Sequence, residues 1–177
     1  MPSTKKPNHY VDNKKFCEEM VKFRTSVIEA KSDGVKRPQV PDYIGECFVK
    51  IAEHLSYKPN FINYTFREDM VSDGIENCLQ YIDNFDPTKS HNPFAYFTQI
   101  IYYAFLRRIQ REKKQLYIKY KALERAGYEA DPVDVQEGDT TDYKIGKFTD
   151  DIYANMYDFI ESFESKKKKK AEAAKKS

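Results

Sequence analysis

The side chains best placed to do chemistry are two tyrosines and a set of cations repeating along one segment. Tyr96, Ile100, Tyr103, Arg107, Arg111 and Lys114 recur at helical spacing, and at about 100° per residue they share one side of a helix. Aromatic rings stack on unpaired bases, each worth about 1–3 kcal/mol. Cations further along the same side hold phosphates, and each such contact releases condensed counterions. A face grading from aromatic to cationic therefore suits a junction where duplex nucleic acid becomes single-stranded. The blander alternative has the tyrosines packed beneath another helix and the arginines merely solvated.

Two elements must position this face. The helix carrying it opens at Asn92-Pro93, a capping asparagine followed by a proline suited to the first helical position. Phe97, Ile101, Phe105 and Ile109, flanked by Phe94, form an apolar ridge on its other side, which must bury. The helix before it starts at Thr65-Phe66-Arg67-Glu68, where a threonine three residues ahead of a glutamate predicts a capping box. Asp69, Asp73, Glu76, Gln80 and Asp83 lie on one arc, with Met70, Val71, Gly74, Ile75, Cys78 and Ile82 opposite. The acidic arc is either an ordinary solvated outer face or a dock for a basic partner. Phe85-Asp86-Pro87 ends the segment, since proline cannot continue a helix and restricts its predecessor.

Catalysis has little to stand on. No phosphate-binding loop, nucleophile elbow or metal-spaced cluster is present, so a non-enzymatic protein without cofactors or metal is expected. Cys17, Cys47 and Cys78 are odd in number and widely spaced, and His9, His54 and His91 are scattered. They suit reduced, buried thiols better than a disulfide framework or a zinc site. Mean hydropathy is −0.79 and no apolar run approaches the roughly 18 residues of a membrane span, so a soluble protein with no membrane contact is expected. The polar stretch Met1–Tyr10 does not read as a signal peptide.

The net charge of +2 conceals segregated blocks, which suit different partners. Residues 107–125 carry eight basic side chains against Glu112 and Glu124, while residues 129–164 carry eleven acids against Lys144 and Lys147. The last twelve residues hold seven lysines against Glu172.

Helical periodicity extends to the flanks. Lys14–Ala30 places Phe16, Met20, Phe23, Val27 and Ile28 on one face and stops near Ser32-Asp33-Gly34. Pro41-Asp42 opens another helix with Ile44, Phe48, Ile51, Ala52 and Leu55 inward, closed by Lys58-Pro59-Asn60. Strand signals are scarce, so the fold class is all-α: a compact helical bundle with a flexible linker and a separate C-terminal amphipathic helix. The predicted organisation is a disordered arm over 1–11, a helical domain over 12–126, an acidic linker over 127–147, an amphipathic helix over 148–165 and a disordered lysine-rich tail over 166–177. The amphipathic helix has Ile152, Met156, Phe159, Ile160 and Phe163 along one side. That side either joins the protein's own core or docks in a partner's groove.

Several stretches carry a family resemblance. Asp69 to Gly74, Tyr81 to Asp86 and Ala95 to Thr98, with the basic helix that follows, resemble region 2 of bacterial sigma factors. Asn84-Phe85-Asp86, Asn92-Pro93, Ala95-Tyr96, Thr98-Gln99 and Arg108-Ile109 are similar, more narrowly, to the late-transcription sigma factors of T-even-like bacteriophages. The likeness is best over residues 61–120. It implies a bundle of sigma region 2 type that works in the cytoplasm of an infected bacterial host, binding core RNA polymerase and directing it to promoter DNA. Asp69, Asp73 and Glu76 would meet the clamp coiled coil of the polymerase. Phe85, Lys89 and Tyr96 would form a pocket for a flipped base of an A·T-rich minus-ten element, where extrusion is easiest. Gln99 and Ile100 stand where primary sigma factors place a tryptophan pair that wedges the duplex open, and this chain has no tryptophan. Ile100 with Tyr102 or Tyr103 is then the substitute wedge, unless melting falls to the polymerase. Arg107, Arg108, Arg111, Lys113 and Lys114 would track the upstream duplex.

Phe159, Ile160 and Phe163 have the character needed at the polymerase flap. The family ends, however, in a hydrophobic and acidic motif that engages the flap and the replisome's sliding clamp, whereas this chain ends in lysines. That departure argues against coupling to the sliding clamp and leaves a phage coactivator open as a partner. The alternative to an initiation factor is a DNA-binding or polymerase-binding regulator of another class, such as an anti-sigma or accessory factor.

Overall fold

The computed structural model describes residues 10–125 and 140–175, with side chains described at 10–125, 155–169 and 172–174. The regular elements are α1 (Asn13–Ser32), α2 (Asp42–Ser56), α3 (Arg67–Tyr81), a 3-10 turn (Ile82–Asn84), α4 (Pro93–Arg125) and α5 (Thr140–Lys175). Among the described residues there is no strand, so the protein is all-α. Two units divide the chain at α4: Met1–Ile109 and Gln110–Ser177.

In the first unit, local chemistry sets most helix ends. Asp12 caps α1 by accepting from the amides of Lys14 and Lys15 at 3.0 and 3.2 Å. Gly34 stops it with φ +65°, a left-handed conformation that favours glycine, and Val35 N–H donates back to the Ala30 carbonyl at 3.0 Å. Asn92 caps α4 as expected, its side-chain oxygen accepting from Ala95 N–H at 3.0 Å. The start of α3 differs from expectation. Thr65 forms no capping box, and Phe66 occupies the cap position without a side-chain hydrogen bond. A tight turn takes over: Arg67 N–H donates to Tyr64 and Met70 N–H to Phe66, at 3.2 and 3.1 Å.

Phe97 of α4 lies at the hub of the core. Its ring is 4.6 Å from Phe48, 5.8 Å from Phe16 and 5.8 Å from Phe85. Around it bury Met20 and Phe23 of α1, Ile44, Ile51 and Leu55 of α2, and Met70 and Cys78 of α3. Ile28, expected inward, is 58% exposed, because at about 100° per residue it lies well round from the line of Phe16, Met20, Phe23 and Val27. Gly74 lets α3 approach α4 closely: a Cβ there would stand 3.0 Å from Ile101 Cγ2 and 3.1 Å from Phe105 Cε1. Across the α3–α4 connection, Arg24 of α1 donates to the carbonyls of Asp83 and Phe85 at 2.7 and 2.9 Å.

The second unit pairs the end of α4 with α5. Tyr117 stacks on Phe163 at 4.5 Å, and Tyr120 meets Phe159 edge-on at 5.6 Å. Met156 and Ile160 are buried. Tyr117 O–H donates to Glu164 at 2.9 Å, and Lys121 pairs with the same carboxylate at 3.6 Å.

Three predicted boundaries move. The N-terminal arm does not reach residue 11, since Val11 is buried and Tyr10 stacks on His54 at 3.8 Å; residues 1–9 lie outside the described residues. The acidic linker does not reach 147, because α5 starts at Thr140; residues 126–139 lie outside the described residues. The lysine-rich tail is helical through Lys175. Lysine, alanine and glutamate are all good helix formers, and here that propensity overrides the repulsion among like charges.

Candidate nucleic-acid interface

α4 settles its own orientation through burial. Phe97, Ile101 and Phe105 are fully buried and Ile109 nearly so, so the apolar ridge faces the core as expected. Tyr103 is 50% exposed and Tyr102 38%, with Gln99 and Arg107 also exposed. Tyr96 and Ile100 are half-buried and pack against the core. The stripe read from sequence thus splits into an outward part at Tyr103 and Arg107, joined on the surface by Gln99 and Tyr102, and a supported flank at Tyr96 and Ile100.

Phe85 needs a correction. It is 1% exposed, with its ring 5.3 Å from Tyr96 and 5.8 Å from Phe97, so it cannot line an open pocket. Its place is behind Tyr96, fixing that ring from below. Burial raises the Tyr96 phenol above its ordinary pKa, so the hydroxyl keeps its proton and can donate. Lys89 is exposed and stands 3.8 Å from Asp86, whose own carboxyl is held low by hydrogen bonds from Thr88. Ile100 packs inward, which removes it as a protruding wedge. Tyr102 and Tyr103 meet edge-on at 5.9 Å, and Phe61 props Tyr102 at 5.7 Å.

The arginines also separate. Arg108 is bidentate to Asp73, with Nε–Oδ2 at 2.7 Å and Nη2–Oδ1 at 2.9 Å, and the two side chains are only 18% and 20% exposed. This corrects two expectations together: Asp73 is not a free docking acid, and Arg108 is not a free phosphate contact. They close on each other because Gly74 brings α3 and α4 so near. Arg107 remains exposed while donating to Asn77 Oδ1 at 2.6 Å, which aims its guanidinium along the helix surface. Asp69 and Glu76 are exposed on the outer side of α3 and form no ion pair among the described residues, whereas Asp83 pairs with Arg37 at 2.9 Å. Arg111, Lys113 and Lys114 are exposed on the α4 segment of the second unit.

Phe159, Ile160 and Phe163, expected as a polymerase contact, cover the end of α4 instead. Ile160 is buried and the two rings are half-buried against Tyr117 and Tyr120. The face that needed a partner finds one inside the chain.

Sequence reasoning missed Asn77, which orients Arg107 and itself donates to the Asp73 carbonyl at 2.7 Å. The available signal was its position one turn beyond Asp73, on the side facing the arginines. It also missed Arg24, one of five cations on α1, whose partners are carbonyls some sixty residues later. The cysteines are free, and burial pushes the Cys47 and Cys78 thiols up, which makes them poor nucleophiles. Among the described residues no helix is long and apolar enough to cross a membrane. No protein-family model matches the chain, and no curated protein matches it.

Proposed function

We propose that the protein is a sigma-like initiation factor that binds bacterial core RNA polymerase and directs it to phage late promoters by opening an A·T-rich element. The observation that carries this reading is the exposed Gln99–Tyr102–Tyr103–Arg107 surface of α4 above a fully buried ridge, with Tyr96 backed by Phe85. Rings held from behind lose little freedom when a base stacks on them, so more of the roughly 1–3 kcal/mol per base survives as binding. Asp69 and Glu76 on α3 supply a separate acidic stripe for a basic coiled coil. Strand capture falls to Tyr96, Gln99, Tyr102 and Tyr103, while Arg107 and Lys89 meet phosphates. Arg111, Lys113 and Lys114 add backbone contacts from the second unit. Arg108 and Asp73 act as positioning residues that hold α3 against α4.

Transcription from a phage late promoter by core polymerase tests the proposal. Addition of this protein should produce specific run-off product, and none should appear with Asp69→Lys/Glu76→Lys. An accessory or anti-sigma factor predicts the reverse: binding to core without directed initiation. Absence of stimulation at saturating protein would end the initiation reading.

A further inference from the structure

The C-terminal lysines are the largest unassigned feature, and their setting differs from that of a loose tail. Lys166 to Lys169 are exposed on α5. The seam between α4 and α5 fixes what lies beside them. Tyr117 pairs with Phe163 and Glu164, and Tyr120 with Phe159, so the helices are antiparallel: later positions on α4 meet earlier ones on α5. One turn before Tyr117 on α4 are Lys113 and Lys114, with Arg111 a little further; one turn after Phe163 on α5 begins the lysine run. The hairpin therefore brings two sequence-distant basic blocks to the same end of the second unit. The acids beside them, Glu112, Glu164 and Glu172, are outnumbered by the seven cations Arg111, Lys113, Lys114 and Lys166 to Lys169, and Glu164 is engaged by Tyr117 and Lys121.

The geometry points to this end of the hairpin as a second, sequence-independent duplex-DNA surface, built jointly by Arg111, Lys113 and Lys114 of α4 and Lys166 to Lys169 of α5. A duplex carries one charge per about 1.7 Å of its axis, so it can engage cations on two adjacent helices at once. An anionic membrane is a poorer fit, because interfacial helices need an apolar face to insert, and that face of α5 is spent on α4. An acidic protein partner would call for aromatic or aliphatic anchors, whereas the exposed side chains described at this end are charged or polar. Three of the cations also serve the function proposed above, but this surface needs neither polymerase nor promoter. The free chain should show it.

The test is binding of the free full-length protein to a labelled duplex lacking any promoter sequence, measured by fluorescence anisotropy across salt. The wild type should lose affinity linearly in log–log form. K166Q/K167Q/K168Q/K169Q, all exposed and safe for folding, should flatten the slope by about 2–4, at about 0.9 per phosphate contact. Tyr117→Ala/Phe163→Ala keeps every cation but breaks the seam, and should also weaken binding and lower the slope. An unchanged slope in the lysine variant would overturn the proposal. So would a seam variant that keeps wild-type binding, since the lysines would then act as a free tail. Tighter binding to phosphatidylserine vesicles than to duplex at equal salt would overturn it as well. A protein inactive in transcription but behaving as predicted here would refute only the promoter function.

Discussion

Removing the carboxylate of Asp73 should cost stability, not partner affinity alone, and the cost follows from the geometry of one pair. Asp73 and Arg108 share two short charge-assisted hydrogen bonds while four-fifths of each side chain is withdrawn from water. Asp73→Ala strips those acceptors from a guanidinium that cannot fully rehydrate. Leaving such a group underpaired costs about 1–3 kcal/mol, less than the roughly 3–5 kcal/mol of a fully buried pair. A value near 2 kcal/mol, at about 4 °C per kcal/mol for a unit of this size, lowers the melting temperature by about 8 °C. The assay is thermal unfolding by circular dichroism on Asp73→Ala, Arg108→Ala and the double variant. If the residues act through each other, the double variant should be less destabilised than the sum of the singles, with a coupling of about 1–2 kcal/mol. Additive effects would refute the latch and return both residues to the role of independent surface contacts.

Gly74→Ala should destabilise the first unit by about 1–2 kcal/mol in the same melts, although alanine is the better helix former by about 1 kcal/mol; the new methyl meets Ile101 and Phe105, both fully buried and unable to retreat. A neutral or stabilising outcome would show that α3 and α4 can part at little cost. Tyr103→Ala should leave the melting temperature unchanged, since the ring is half exposed, yet weaken binding to single-stranded or premelted promoter DNA in the polymerase complex by about 1–3 kcal/mol. Loss of stability without loss of binding would mean the ring packs rather than stacks. Glu164 has its carboxyl held below the ordinary range, first by the Tyr117 hydroxyl and then by Lys121. Its contribution to the α4–α5 hairpin is therefore complete above the normal carboxylate pKa and disappears as pH falls through the lowered folded value. Glu164→Gln should flatten the acid limb of hairpin stability, followed by the Tyr117 signal in NMR, and an unaltered limb would assign the acid sensitivity elsewhere.

Periodicity made the core legible. The ridge Phe97–Ile101–Phe105–Ile109 and the inward face of α2 could be read from spacing alone, because a stripe that wide must bury wherever it lands. Asn92-Pro93 was equally readable, since a cap acts within three residues. What periodicity could not give is how far each polar residue lies from a neighbour on another helix. In sequence Asp73 and Arg108 are indistinguishable from an acid free to dock and a base free to meet phosphate. Their closure depends on Gly74, where a missing side chain sets the distance between helices. Phe85 is a different case: its place in an open pocket rested on the resemblance alone, and a phenylalanine in an irregular connection carries no period to say whether it faces out or sits beneath Tyr96.

The departures at α5 share a cause and bear on the duplex surface proposed above. Composition left the apolar side of α5 either to the protein's own core or to a partner's groove, and read the lysines beyond it as a loose tail, two independent features. Antiparallel pairing with α4 answers both, because Tyr117 and Tyr120 occupy the face that seemed to await polymerase and the same seam fixes the lysines along a helix. A disordered tail with the same charge would have to be ordered by each phosphate it met, at a cost in chain entropy. Lysines on a helix already held by α4 have met that cost in folding, so their contacts should appear as affinity and not only as salt sensitivity.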